Sequence, residues 1–287
     1  MSKTIFVSGA TGTTGSETVR ALLAGGAKVI AGVRTPQKAG ALTAAGAEVR
    51  PFDLGDAAGM VDAMRGADGL YLVTPVSEET EALTNAMVEA AKGAGVGHIV
   101  KLSGLDVDKE PGLTLARWHL AAEHVIRASG LGWTFLRPNA FMQNFLGAAQ
   151  TVRTQGAYYN TYGSARVSLV DARDIGDVAA TVLLSGDHAG KIYALTGPRG
   201  VDKDEVTRLL SEAAAKPIAT VDVGGEPLAQ ALAGFGMPQT VARATAELLG
   251  HMATGAAAEV SPDIQALLGR GARDLTQWMR DHAPAFR

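Results

Sequence analysis

The residues whose types and spacing promise chemistry begin near the N-terminus, where Gly9, Gly12 and Gly15 recur at every third position around Ala10, Thr11, Thr13 and Thr14. The preceding run Thr4-Ile5-Phe6-Val7 is apolar and β-branched, and a helical pattern follows from Ser16 to Leu23. Glycines placed between a strand and a helix have separate tasks: one makes a sharp turn, one admits a diphosphate to the backbone, and one lets the helix pack closely on the strand. The helix start adds free N–H groups and the positive end of its dipole. Gly9, Thr11, Gly12, Thr13, Thr14 and Gly15 are therefore expected to cradle a dinucleotide; the alternative is a plain tight turn.

Further candidates sit where later strands should end. Arg34, with Lys38 nearby, stands where an NAD site usually carries an acid for the ribose hydroxyls, so a 2′-phosphate and hence NADPH over NADH is expected. In Phe52-Asp53-Leu54 the carboxylate is placed either to accept from an adenine amino group or to cap the following turn. Thr74 and Pro75 are expected along the ribose and diphosphate, and Ser103 and Gly104 at the nicotinamide end; each pair also suits ordinary turn chemistry. His119 and Glu123 lie four apart and share one face of a helix spanning 115–129. After a strand at 132–136 comes Arg137-Pro138-Asn139-Ala140-Phe141-Met142-Gln143-Asn144, with Asn139, Ala140 and Phe141 in position to close over a cofactor.

The elements that must position these residues follow from the pattern. Strands are expected at 28–33, 48–51, 69–73 and 98–102, with helices at 36–45, 57–64 and 80–94 between them. Such β-α alternation predicts an α/β fold: a doubly wound parallel Rossmann sheet, helices on both faces, and ligands at the carboxyl ends of its strands. A helix at 171–184 and a strand at 191–195 return to that sheet. Residues 1–155, with 171–197, are thus expected to form the dinucleotide-binding part. Residues 156–287 are expected to form a small, mostly helical substrate-capping region with a cleft beside it: helices at 203–215, 228–233, 240–252 and 274–282, one strand near 218–223, and a loop at 155–162 holding three tyrosines.

Composition limits the rest. The 287 residues are 47% hydrophobic and 19% charged, as in an ordinary globular protein, and 26 basic against 29 acidic residues predict no nucleic-acid partner. The absence of cysteine removes disulfides, thiolate metal sites and thiol catalysis together. No histidine pair has zinc spacing, no Gly-x-Ser-x-Gly elbow is present, and the glycine turn lacks the lysine of a nucleoside-triphosphate loop. No metal is expected. No apolar run approaches the roughly 20 residues that span a bilayer and no leader is evident, so the expected location is the cytoplasm, with no membrane partner.

Gly9-Ala-Thr-Gly-Thr-Thr-Gly15, Arg34, His119-x-x-x-Glu123 and Arg137-Pro-Asn-Ala-Phe-Met-Gln-Asn144 together resemble the NmrA-like branch of the atypical short-chain dehydrogenase/reductases. The resemblance covers essentially the whole chain and is strongest to bacterial NAD(P)H-dependent reductases of quinones, azo dyes and triphenylmethane dyes, which use no flavin. It implies an oxidoreductase that passes hydride from NADPH to a planar conjugated acceptor. In this role His119 stands beside the nicotinamide as proton or hydrogen-bond donor, and Glu123 orients it or supports its charge. The Tyr-x-x-x-Lys pair of ordinary superfamily members is absent, since residues 75, 162, 163, 166 and 197 follow the five tyrosines at that spacing and none is lysine. Two alternatives remain open: a non-catalytic NADP(H) redox sensor, as the branch also contains, and an imine or ene reductase of a natural metabolite.

Overall fold

The computed structural model describes residues 2–287. In chain order the elements are β1 (Thr4–Val7), α1 (Thr13–Ala24), β2 (Lys28–Val33), α2 (Gly40–Ala44), β3 (Glu48–Pro51), α3 (Ala57–Met64), β4 (Gly69–Leu72), α4 (Thr80–Ala94), β5 (His98–Leu102), α5 (Thr114–Ala128), β6 (Gly132–Pro138), α6 (Ala149–Gln155) and β7 (Ala157–Asn160). They continue as α7 (Ala172–Leu184), β8 (Lys191–Leu195), α8 (Lys203–Ala214), β9 (Ala219–Asp222), α9 (Gly225–Gly234), α10 (Gln239–His251), α11 (Asp263–Leu268) and α12 (Leu275–Asp281). Short 3-10 segments lie at Pro36–Lys38, Met142–Ala148 and Ala283–Phe286. Among the described residues no helix is long and apolar enough to cross a membrane.

The chain divides into two compact units. The first holds the described residues up to Pro111, with Ala116–Pro138 and Ala172–Ala194; the second holds Gly112–Leu115, Asn139–Asp171 and Leu195–Arg287. The stretch at 172–194 joins the first unit, whereas residues 139–155, read from the sequence as part of the nucleotide-binding region, belong to the second.

In the first unit the strands run in the order β3-β2-β1-β4-β5-β6-β8. The register is parallel throughout, with Val7 opposite Ala31 on one side and Tyr71 on the other. At the far edge Gly190 N–H donates to Trp133 O at 2.7 Å and Asn139 N–H donates to Leu195 O at 2.9 Å, so β8 also runs parallel to β6. β1, inside the sheet, is covered on both faces and is apolar on both: Ile5, Phe6 and Val7 are all fully buried. Phe6, Ile30, Leu70, Leu72, Ile99 and Phe135 form one core with Met60 and Met64 of α3, Met87 and Val88 of α4, and Ile126 of α5. On the opposite face α1 and α7 pack closely, since a Cβ on Gly176 would lie 2.6 Å from the backbone carbon of Glu17.

The second unit has its own core, in which Met142, Phe145, Val152, Tyr158, Leu209, Leu210, Trp278 and Phe286 meet. One local expectation fails here. Residues 157–160, read as part of a tyrosine-bearing loop, form β7, which pairs in parallel with β9 so that Tyr158 faces Thr220. Alternation sends Tyr158 and Asn160 inward and leaves Tyr159 outward, so Tyr158 belongs to the core. The pairing is non-local, which is why the short stretch looked irregular from its own residues.

Substituting Gly176→Ala should lower stability by about 1–3 kcal/mol, the usual cost of forcing a methyl into a closed helix contact. Urea unfolding should show a lower midpoint with an unchanged slope.

Candidate functional site

The glycine turn is built by sterics. Gly9 adopts φ +59°, a left-handed conformation that glycine enters without a side-chain penalty, and its carbonyl accepts Gly12 N–H at 2.8 Å. A Cβ on Gly15 would lie 2.1 Å from that same carbonyl oxygen, so α1 can start this close to β1 only with glycine there. Gly12 caps α1 without a side-chain acceptor and the first turn carries no acid, so neither the cap nor the first turn supplies a side chain that competes for the positive helix end. Thr11 and Thr13 are exposed beside it, while Thr14 turns inward.

Ser8, which sequence reasoning passed over, ties this turn to the sheet. Its Oγ accepts Val73 N–H at 2.8 Å and lies 3.1 Å from the carbonyls of Tyr71 and Val73. That joins the carboxyl ends of β1 and β4, where the strand order reverses and where open α/β sheets bind ligands. The signal in the sequence was a lone hydroxyl between an apolar strand and a turn glycine.

Around this point the other expected residues occupy strand ends of the same unit. Arg34 and Lys38 are exposed after β2 and make no ion pair with any described residue. Asp53 Oδ1 accepts Gly55 N–H at 2.9 Å, the turn role, while Asp56 is the side chain that caps α3. Leu54 packs partly against the core. Thr74 is buried, and Pro75 O accepts from Thr80 Oγ1 at 3.2 Å.

The pairing expected between His119 and Glu123 is not what forms. Glu123 is fully buried and receives Arg137 through two bonds of 3.0 and 2.8 Å, Arg127 at 3.0 Å and Ser103 Oγ at 2.7 Å. None of its bonds goes to His119. Arg137 also pairs with Asp108 at 2.7 Å, which holds the Asp108 carboxyl below its ordinary value. Burial alone would lower the pKa of Arg137, but Glu123 and Asp108 outweigh it and raise it. Arg127 lies over the rings of Trp133 and Phe135 as well. A desolvated carboxylate needs formal positive charge, and the two guanidiniums supply it where a neutral imidazole would not.

His119 instead meets Lys101. Lys101 Nζ lies 3.2 Å from His119 Nδ1 and 2.8 Å from Leu102 O. Burial and the neighbouring Lys101 charge hold the His119 pKa well below its ordinary value, so the ring is neutral at pH 7. An ammonium can only donate, so Nδ1 accepts and Nε2 carries the ring proton. The ring packs against Gly104, where an added Cβ would stand 3.4 Å from Cδ2. Lys101 was overlooked in the strand His98–Leu102, although a lysine inside an otherwise apolar parallel strand is a legible anomaly. Burial pushes Tyr71 and Tyr162 up to about 12.

In the second unit Asn139 is spent on structure. Its Nδ2 donates to Ser168 Oγ and Ala257 O, both at 2.9 Å, and its Oδ1 accepts Ala140 N–H at 2.8 Å. Ala140 and Phe141 are half-buried, and Phe141 bridges to Val170. Among the described residues no cluster of three or more His, Cys, Asp or Glu could hold a metal ion.

Residues 9–186 match the family model described as NAD(P)H-binding. The chain belongs to this NAD(P)H-binding family. It is 36% identical over 282 residues to the NAD(P)H azoreductase of Xenophilus azovorans, covering 98% of this chain and 99% of that one. It is 37% identical over 285 residues to a (4-alkanoyl-5-oxo-2,5-dihydrofuran-3-yl)methyl phosphate reductase of Streptomyces griseus, covering 98% and 99%. The solved NADPH complex of the Escherichia coli quinone oxidoreductase QOR2 matches with a TM-score of 0.85 at 28% identity, covering 96% of this chain and 99% of that one. The turn fits the family's ligand: the space a Cβ on Gly15 would fill is closed by Gly9 O, while the N-terminal turn of α1 presents bare backbone to a diphosphate.

Glu123→Ala should cost about 3–5 kcal/mol of stability, because it takes the buried counter-charge from the buried Arg137 guanidinium, whereas His119→Ala, which leaves Lys101 its bond to Leu102 O, should cost less. Parallel denaturant titrations of the two variants check this difference.

Proposed function

We propose that this NAD(P)H-binding protein is a reductase that uses NADPH, without a flavin, to reduce a planar conjugated acceptor of quinone, azo or triphenylmethane-dye type. The observation that carries the reading is the half-buried His119 with Nδ1 3.2 Å from Lys101 Nζ, an arrangement that leaves a neutral ring its proton on Nε2. When bound, NADPH supplies hydride. The chain's part is to hold the diphosphate over Gly9, Thr11, Gly12, Thr13, Thr14 and Gly15, and to meet the 2′-phosphate with Arg34 and Lys38. Asp53 Oδ2 with Leu54 would take the adenine, and Thr74 and Pro75 the ribose and diphosphate. Ser103 and Gly104 would flank the nicotinamide end.

His119 Nε2–H then donates to the acceptor atom on which charge accumulates. In a quinone or azo group that charge is delocalised, so a neutral imidazole donor is adequate. Glu123 does not act on the ring; it holds Ser103 and Arg137 in place.

A second reading draws on the Streptomyces griseus relative. Its name specifies a 5-oxo-2,5-dihydrofuran, a ring alkene conjugated to a carbonyl, and hydride addition to such an alkene puts charge on the carbonyl oxygen, where the same donor would act. The acceptor panel therefore includes quinones, azo dyes, triphenylmethane dyes and conjugated butenolides, followed by the loss of nicotinamide absorbance. Turnover is expected with at least one class. Tight redox-selective nucleotide binding with no turnover on any of them would favour a sensor instead. Arg34→Ala should raise the KM for NADPH by about 10-fold or more while leaving that for NADH little changed, since a charge-assisted pair contributes roughly 1.5–3 kcal/mol. His119→Ala should lower kcat by about 10²-fold or more with nucleotide affinity retained.

A further inference from the structure

Lys101 lies mid-sheet on β5, paired with Leu72 and Phe135 on the adjacent strands, and is 1% exposed. A lysine there has no stabilising explanation in an ion pair. Among the described residues its ammonium bonds only to Leu102 O and His119 Nδ1, while Glu123, whose charge it feels, is bonded to Arg127 and Arg137. An apolar side chain of similar volume would spare the desolvation of that charge. What the lysine gains is contact with one ring nitrogen.

We propose that Lys101 is the positioning residue and proton reserve for His119. This rests on the reductase reading above. With Lys101 charged, Nδ1 stays bare and the ring proton stays on Nε2. When that proton passes to the reduced acceptor, the Nε2–H bond breaks and the new bond forms on the acceptor. A proton then moves from Lys101 Nζ to His119 Nδ1, leaving neutral imidazole of the other tautomer beside a neutral amine. Water returns one proton to Nε2 after product leaves, and Nδ1 passes its own back to Nζ. No group is oxidised or reduced in the relay.

The surroundings suit this exchange. From α5 the facing groups are His119, neutral, and Glu123, which favours the charged lysine; Arg127 and, from β6, Arg137 lie beyond Glu123, and Asp108 lies beyond Arg137. Burial opposes the charge and brings Lys101 down to about 8, so the ammonium is formed at pH 7 yet gives up its proton readily.

The test uses the whole chain without nucleotide. Nitrogen-15 NMR of the imidazoles should show His119 neutral and Nε2-protonated at pH 7, with both ring shifts moving in a step near pH 8 as Lys101 deprotonates. In Lys101→Met that step should vanish and His119 should itself titrate closer to 6.5. An Nδ1-protonated ring at pH 7, or no step in the unaltered protein, overturns the proposal whatever the variant's folding. With an acceptor in hand, kcat should fall above pH 8. Lys101→Met should lower kcat about 10-fold or more with nucleotide affinity unchanged; an unaltered kcat and pH profile in that variant overturns the relay. Failure of every acceptor would refute the reductase reading alone, since the NMR step is read without one.

Discussion

The first unit depends on how closely α1 approaches the end of β1. With a Cβ at position 15 forced to 2.1 Å from Gly9 O, any side chain there would push the helix off the strand and take its bare N-terminal turn with it. The same approach fixes the turn's left-handed Gly9 and brings Ser8 against the end of β4. A single steric exclusion thus assembles the crevice at the strand reversal, and the phosphate-binding capacity of the helix end follows from its geometry rather than from any charged side chain.

Behind that crevice a buried electrostatic arrangement sorts the polar groups. Glu123 draws Arg137 from β6, Arg127 from its own helix and Ser103 from the end of β5, so three elements are joined around one carboxylate. Satisfying Glu123 in this way leaves His119 to the remaining cation, Lys101, and that contact decides which ring nitrogen holds the proton. The same network that joins β5, α5 and β6 around Glu123 thus leaves His119 beside Lys101.

Much of this was legible in the residues. Strands at 28–33, 48–51 and 98–102 and helices at 57–64 and 80–94 fall where their apolar patterns end, because each is bounded by glycine, proline or a polar cap. The glycine turn was legible for the same reason, since its requirement is steric and local. β7 was not, because its strand character comes from β9 some sixty residues later. Asn139 was read as facing a ligand, yet its amide is consumed by Ser168 and Ala257, contacts that no short window contains.

The sequence by itself determined the α/β alternation, the dinucleotide turn, the exposed Arg34 after β2 and the lack of a Tyr-x-x-x-Lys acid, all of which rest on local sterics or on residue identity. Only the tertiary structure decided who partners whom. Helical spacing put Glu123 within reach of His119, but spacing sets proximity and not preference. Once the sheet carried Arg137 and Lys101 to the same helix, the buried carboxylate took the guanidiniums that compensate its charge, and the imidazole took the lysine.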